Sequence, residues 1–119
     1  MTTAQIASRL ETLCRAGDFH TAVDELYADA AVSIEPYETP DFQKETRGKT
    51  NILRKGEKFG SMVDNMHALT VRDTVTTGNV IAMVMGMDVT MKGRPRANFE
   101  ELCVYHVKDG KIVSEQFFM

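Results

Sequence analysis

Tryptophan is absent from the 119 residues, and cysteine, proline and long apolar runs are scarce. Each scarcity excludes something. Cys14 and Cys103 are the only cysteines and lie far apart with no CxxC spacing, so neither a disulfide framework nor a cysteine zinc site is signalled. No apolar stretch approaches the ~18 residues of a membrane span, and the first residues lack a basic head followed by an apolar block. The expected setting is cytoplasmic, with no membrane partner. Positive charge is not in surplus either. Lys and Arg number 14 against 17 Asp and Glu, a net charge of -3 with a pI of about 5.6, which argues against nucleic acid as a partner. His20, His67 and His106 show no metal-ligand spacing, so no metal is expected. Gly48-Lys49-Thr50 has Gln43 where a phosphate-binding loop needs its first glycine, and no strand precedes it.

What is present suits one domain over residues 1–119. Hydrophobic residues make up 43% of the chain and charged residues 26%, enough for a core without covalent staples. Thr2 and Gln5 form a capping box ahead of a helix carrying Ile6, Leu10, Leu13 and Cys14, which Gly17 ends. Asp18 caps a second short helix with Phe19, Ala22, Val23 and Leu26 on one stripe. A strand over 30–35 follows, stopped by Pro36, and then a polar loop to Arg47. A third helix is predicted from Lys49 to about Val63, turning Ile52, Phe59, Met62 and Val63 inward. The rest is a meander of four antiparallel strands. Its clearest mark is Asp109-Gly110, the positive-φ pair of a tight hairpin. Its longest strand is 80–91, where Ile81, Met83, Met85, Met87, Val89 and Met91 alternate with Val80, Ala82, Val84, Gly86, Asp88 and Thr90. A strand of roughly 40 Å at ~3.3 Å per residue must bend to share a small core, and Gly86 is the expected kink or bulge.

Helices grouped early and antiparallel strands grouped late give an α+β fold. The order resembles the nuclear transport factor 2-like superfamily, which includes SnoaL-like polyketide cyclases, steroid ketoisomerases and limonene epoxide hydrolase. The carriers are Ala16-Gly17-Asp18, the run from Leu26-Tyr27 through Val32 to Glu35-Pro36, Arg47-Gly48, and Asp109-Gly110-Lys111-Ile112-Val113. The resemblance spans essentially the whole chain. It implies a cone-shaped, curved antiparallel sheet covered on its concave face by three helices, enclosing a pocket.

Glu35, before Pro36 at the end of the first strand, matches the position where isomerase-like members carry a proton-transferring carboxylate, with glutamate for aspartate. A carboxylate in an apolar pocket has its pKa raised toward the value a general base needs; the alternative is a solvated strand end. Glu101 shares a strand face with Phe99, Cys103, Tyr105 and Val107. Relatives place an acid near Cys103, one pleat away. Glu101 is therefore either a second pocket carboxyl, kept neutral by Glu35, or a structural partner of a cation such as Arg96. Tyr27 is placed by resemblance where its hydroxyl reaches the pocket wall. The oxyanion tyrosine of the isomerases falls at Leu10 here, which argues against steroid isomerisation. The epoxide-hydrolase Asp-Arg-Asp set is not assignable. Catalytic candidates are thus Glu35, Glu101 and Tyr27, and the ligand wall is expected to hold Met83, Met85, Met87, Phe99, Cys103, Tyr105, Glu115 and Phe117. Cys103 reads as an inert thiol and Glu115 as a salt-bridge partner.

Lys44, Arg47, Lys49, Arg54, Lys55 and Lys58 read as a solvated helix face, or as a mouth for an anionic ligand. Val80, Ala82, Val84, Leu102 and Val104 leave the outer sheet face unusually apolar, from which a homodimer through that face is expected. Two functions fit. One is a cofactor-independent isomerase or cyclase transferring a proton beside a carbonyl of a small hydrophobic molecule. The other is a non-catalytic ligand-binding or assembly module.

Overall fold

A computed structural model describes all 119 residues. The elements run α1 (Thr3–Arg15), α2 (Phe19–Leu26), β1 (Tyr27–Ile34), β2 (Glu45–Arg47), α3 (Lys49–Met62), β3 (Val63–Thr77), β4 (Val80–Met91), β5 (Ala97–Lys108) and β6 (Lys111–Phe118). Local chemistry accounts for the helix starts. Thr2 and Gln5 exchange both capping-box bonds, at 2.9 and 3.2 Å, and Asp18 accepts the Thr21 amide at 3.2 Å. The buried stripe of α1 is Ile6, Ala7, Leu10, Leu13 and Cys14. Asp109 and Gly110 both have positive φ, 51° and 74°, as a two-residue hairpin of mirror-image twist requires.

One curved, open sheet of order β2-β1-β6-β5-β4-β3 carries the fold. It is mixed rather than antiparallel throughout: β1 pairs with β6 in parallel, Ser33 opposite Glu115. β6, the last strand of the meander, is laid beside β1, the first strand of the chain, and runs the same way. Two further expectations change. Glu45–Arg47 is a short edge strand antiparallel to β1, where a loop was expected, because three residues are too few to show a period. The first strand also starts earlier than predicted, at Tyr27, since α2 passes directly into extended backbone there, as α3 does at Val63.

No bulge falls at Gly86. β4 keeps unbroken register with β5 through Met85–Glu101, Gly86–Glu100 and Met87–Phe99. The 15 residues of β3 instead face the 12 of β4, and the surplus enters as three register shifts, at 63/65, 66/68 and 72/75. Bulges on one strand of a pair lengthen it locally and curl the sheet. Gly86 serves a close approach: a Cβ there would lie 2.6 Å from Thr70 Oγ1 across the strand pair. The core forms between the inner sheet face and the helices. Ile81, Met83, Met85, Met87 and Val89 are buried on β4, against Leu10, Leu13, Leu26 and Ile52 from the helices. No helix is long and apolar enough to cross a membrane.

Candidate functional site

The three helices do not fill the concave face, and a cavity of about 1070 Å³ remains beneath them. Inward-facing pairs of β4 and β5 build its floor in order. Tyr105, Met85 with Glu101, and Met87 with Phe99 reach the cavity, whereas Met83 and Cys103 do not. The latter two, expected on the ligand wall, face each other across the strands at 0% exposure, within the packed layer behind it. Burial, then the nearby Glu101, pushes the Cys103 thiol up, and burial pushes Cys14 up to about 12, so both thiols are inert. Glu115 and Phe117 of β6 join the lining, as do Tyr27 and Glu35 at the two ends of β1. At the mouth stand Pro36, Tyr37, Thr39 and Phe42 from the loop after β1.

Tyr27, Ser33, Glu35, Lys55 and Glu115 form one polar cluster at the cavity. Register puts Ser33 beside Glu115 and Glu115 beside Tyr105. The Ser33 hydroxyl donates to Glu115 Oε2 at 2.5 Å, and the Tyr27 hydroxyl bonds Glu115 Oε1. Lys55 reaches in from α3, its side chain 14% exposed, and its Nζ donates to Ser33 Oγ at 2.6 Å and to Glu35 Oε1 at 2.9 Å. The same Nζ lies 5.7 Å from the centre of the Phe117 ring. Glu115, expected to be salt-bridged, has no ion pair of its own and meets Lys55 only through Ser33.

Glu101 differs from the other two acids in having no hydrogen bond and no ion pair. Arg96, a candidate partner, is bonded to Asp88 at 2.7 and 2.8 Å. Desolvation, then the negative charges of Glu35 and Glu115, raise the Glu101 carboxyl from 4.5 to about 7, against a smaller pull from Lys55. Burial likewise pushes Glu115 up, opposed by Lys55, Ser33 and Tyr27. The Tyr27 hydroxyl stands well above its usual range through burial and the neighbouring Glu115. The cavity wall therefore carries one carboxyl with no hydrogen-bond or ion-pair partner, pushed up to about 7, beside a lysine already paired with Glu35.

Lys55 and Ser33 were not among the expected site residues. Lys55 lies three residues after Ile52 and four before Phe59, on the inward stripe of α3, but a lysine amid Arg54, Glu57 and Lys58 reads as solvated. Ser33 alternates with Ala31 and Glu35 on the inner face of β1, a position hydrophobic periodicity does not mark. No group of three or more His, Cys, Asp or Glu side chains is arranged to hold a metal ion.

Comparison with known proteins gives a consistent result. The SnoaL-like domain matches residues 1–119. A proposed SnoaL-like polyketide cyclase from Mesorhizobium loti, also described as a carbohydrate phosphatase, is 30% identical with a TM-score of 0.92, covering 100% of both chains. IdmH, a proposed polyketide cyclase from Streptomyces antibioticus, is 23% identical with a TM-score of 0.72, covering 99% of this chain and 91% of its own. A protein of ketosteroid isomerase-like fold from Catenulispora acidiphila, solved with trimethylamine, is 15% identical with a TM-score of 0.76, covering 99% and 87%. At the two lower identities the likeness concerns the fold alone. No curated protein matches the chain.

Proposed function

The chain belongs to the SnoaL-like family over its whole length, and from that premise we propose that it binds a small hydrophobic molecule and moves a proton beside one of its carbonyls. The observation that carries this reading is Glu101: a carboxyl with no hydrogen-bond or ion-pair partner on the wall of a largely apolar cavity, pushed up to about 7 by burial and by Glu35 and Glu115. A general base is most effective when its pKa lies near the working pH. Glu101 takes the proton from the carbon beside the carbonyl, and the electron pair moves onto the carbonyl oxygen. That oxygen is steadied by the N–H of Lys55 not used by Ser33 or Glu35. Return of the proton at another carbon completes an isomerisation; attack of the enolate on a second carbonyl, with the proton of Glu101 delivered to the new alkoxide, completes a ring closure. Neither route needs a cofactor.

The base is thereby assigned to Glu101 rather than to Glu35. Glu35 Oε1 is already bonded to Lys55, and a proton arriving there would break that ion pair. Tyr27 acts on the ligand only through Glu115, being committed to it by a hydrogen bond. The second reading, a pocket that binds without turnover, draws on the same ion pair, since it leaves one carboxylate of the site occupied. The outer sheet face carries Val75, Leu102 and Phe118 at 55%, 41% and 46% exposure, which supports a homodimer through that face.

The test is exchange of the α-hydrogens of 2-tetralone in D2O, followed by proton NMR. Wild-type protein should accelerate exchange, and Glu101→Gln should lower the rate by about 10²-fold or more, with probe binding retained in native mass spectra. Equal rates for the two proteins would sink the base assignment, and binding without exchange would establish the second reading.

A further inference from the structure

Lys55 lies near three carboxyls yet pairs with one. An ammonium in an apolar chamber is drawn to whichever carboxylate it can reach, and Glu101, which feels its charge, has no partner. What distinguishes the side of Glu35 is Ser33. We propose that Ser33, backed by Glu115, is a positioning residue that holds the Lys55 ammonium at Glu35 and off Glu101. This inference rests on the reading of Glu101 as the proton carrier and explains what keeps it free.

Donor chemistry fixes the direction of the chain. Lysine only donates, so Ser33 Oγ accepts from Nζ at 2.6 Å. The single hydroxyl hydrogen of Ser33 then goes to Glu115 Oε2, 2.5 Å away. Glu115 Oε2 is therefore an acceptor whichever of Tyr27 and Glu115 carries the proton between them. Ser33 is 0% exposed, so no water substitutes for Lys55 as its donor without entering the core. Two of the three N–H groups of Lys55 are thus committed, one to Ser33 and one to Glu35. Without the Ser33 hydroxyl, the freed N–H is open to Glu115, which loses a donor at the same time, and to Glu101, and an ammonium moved toward Glu101 makes it a poorer proton acceptor. The charged groups acting on Glu101 are Glu35 beyond β1, Lys55 of α3 and Glu115 of β6. Arg15 of α1, His20 of α2, Glu57 of α3 and His67 of β3 are also on the lining and are not among the groups acting on Glu101.

The experiment is a carbon-13 NMR titration of the glutamate side-chain carboxyls, with Glu101 identified by the signal missing in Glu101→Gln. In wild-type protein Glu101 should titrate near 7; a midpoint in the ordinary carboxylate range would sink the base reading and this inference with it. Ser33→Ala should lower the midpoint by about one unit or more, a tenfold loss of proton affinity. In the Ser33→Ala, Lys55→Met double variant that drop should vanish relative to Lys55→Met alone. A wild-type midpoint near 7 that Ser33→Ala leaves unmoved, or a drop that persists without Lys55, overturns the positioning role while leaving Glu101 as the base. Should Ser33→Ala fail to fold, Lys55→Met decides alone. A rise of less than about one unit means Lys55 is held off Glu101, and a larger rise means the two pair directly and the inference is wrong.

Discussion

Glu101→Gln removes a charge that the folded state holds at a cost, so the variant should gain stability relative to wild type as the pH rises. The sign follows from proton binding. The folded protein binds the Glu101 proton more tightly than the unfolded chain does, and stability contributed in acid is lost as the pH climbs from the ordinary carboxyl value toward 7. With the carboxyl raised from 4.5 to about 7, the loss amounts to about 3 kcal/mol at pH 8 and about 1 kcal/mol at pH 5, at ~1.36 kcal/mol per pKa unit. Glutamine keeps the shape and does not titrate. The stability difference between variant and wild type should therefore shift in favour of the variant by about 2 kcal/mol between pH 5 and pH 8. Urea denaturation followed by far-ultraviolet circular dichroism reads this directly, and any constant packing penalty of the amide cancels in the comparison. Parallel pH profiles for the two proteins would refute the reasoning, because they would mean that Glu101 ionises as freely in the fold as out of it.

Other perturbations test other parts of the account. Tyr27→Phe takes a hydroxyl from the buried Glu115 and should cost about 1–3 kcal/mol in urea at pH 7; a neutral effect would mean that Ser33 alone satisfies that carboxyl. Gly86→Ala places a methyl 2.6 Å from Thr70 Oγ1 and should destabilise by about 1–3 kcal/mol, most of which Thr70→Ala in the same chain should restore, as read from thermal melts. Leu102→Lys puts a charge in the proposed outer-face interface and should convert a dimer to a monomer in analytical ultracentrifugation with 2-tetralone binding kept. A wild-type monomer would end that proposal.

Much of the fold was legible because its strongest signals are local. The capping box at Thr2, the Asp109-Gly110 turn and the alternation from Val80 to Met91 each name an element through the chemistry of neighbouring residues. What was missed depends on distant partners. The parallel pairing of β1 with β6 leaves no mark in either strand. The bulges of β3 arise from matching it to β4, so they fell there rather than at the conspicuous Gly86. The site divides in the same way. Alternation put Glu101, Cys103 and Tyr105 on one face but could not tell which of them packing covers: Glu101 and Tyr105 reach the cavity, whereas Cys103 between them is sealed into the core. Lys55 was hidden among charged neighbours, and Ser33 carries no periodic signature. Both became visible only when α3 was laid across β1, which brings Nζ and Oγ to 2.6 Å.

The central claim, that Glu101 carries the proton in an apolar chamber, is tested most directly by the pH dependence of 2-tetralone exchange catalysed by the wild-type protein. The profile of kcat/KM reports the ionisation of the free protein's base. The account predicts a plateau on the alkaline side of an inflection near 7, with the rate falling about tenfold per pH unit below it. A rate that stays flat down into the ordinary carboxylate range would assign the chemistry to a different carboxylate, and a rate still rising on the alkaline side would assign it to a group other than Glu101.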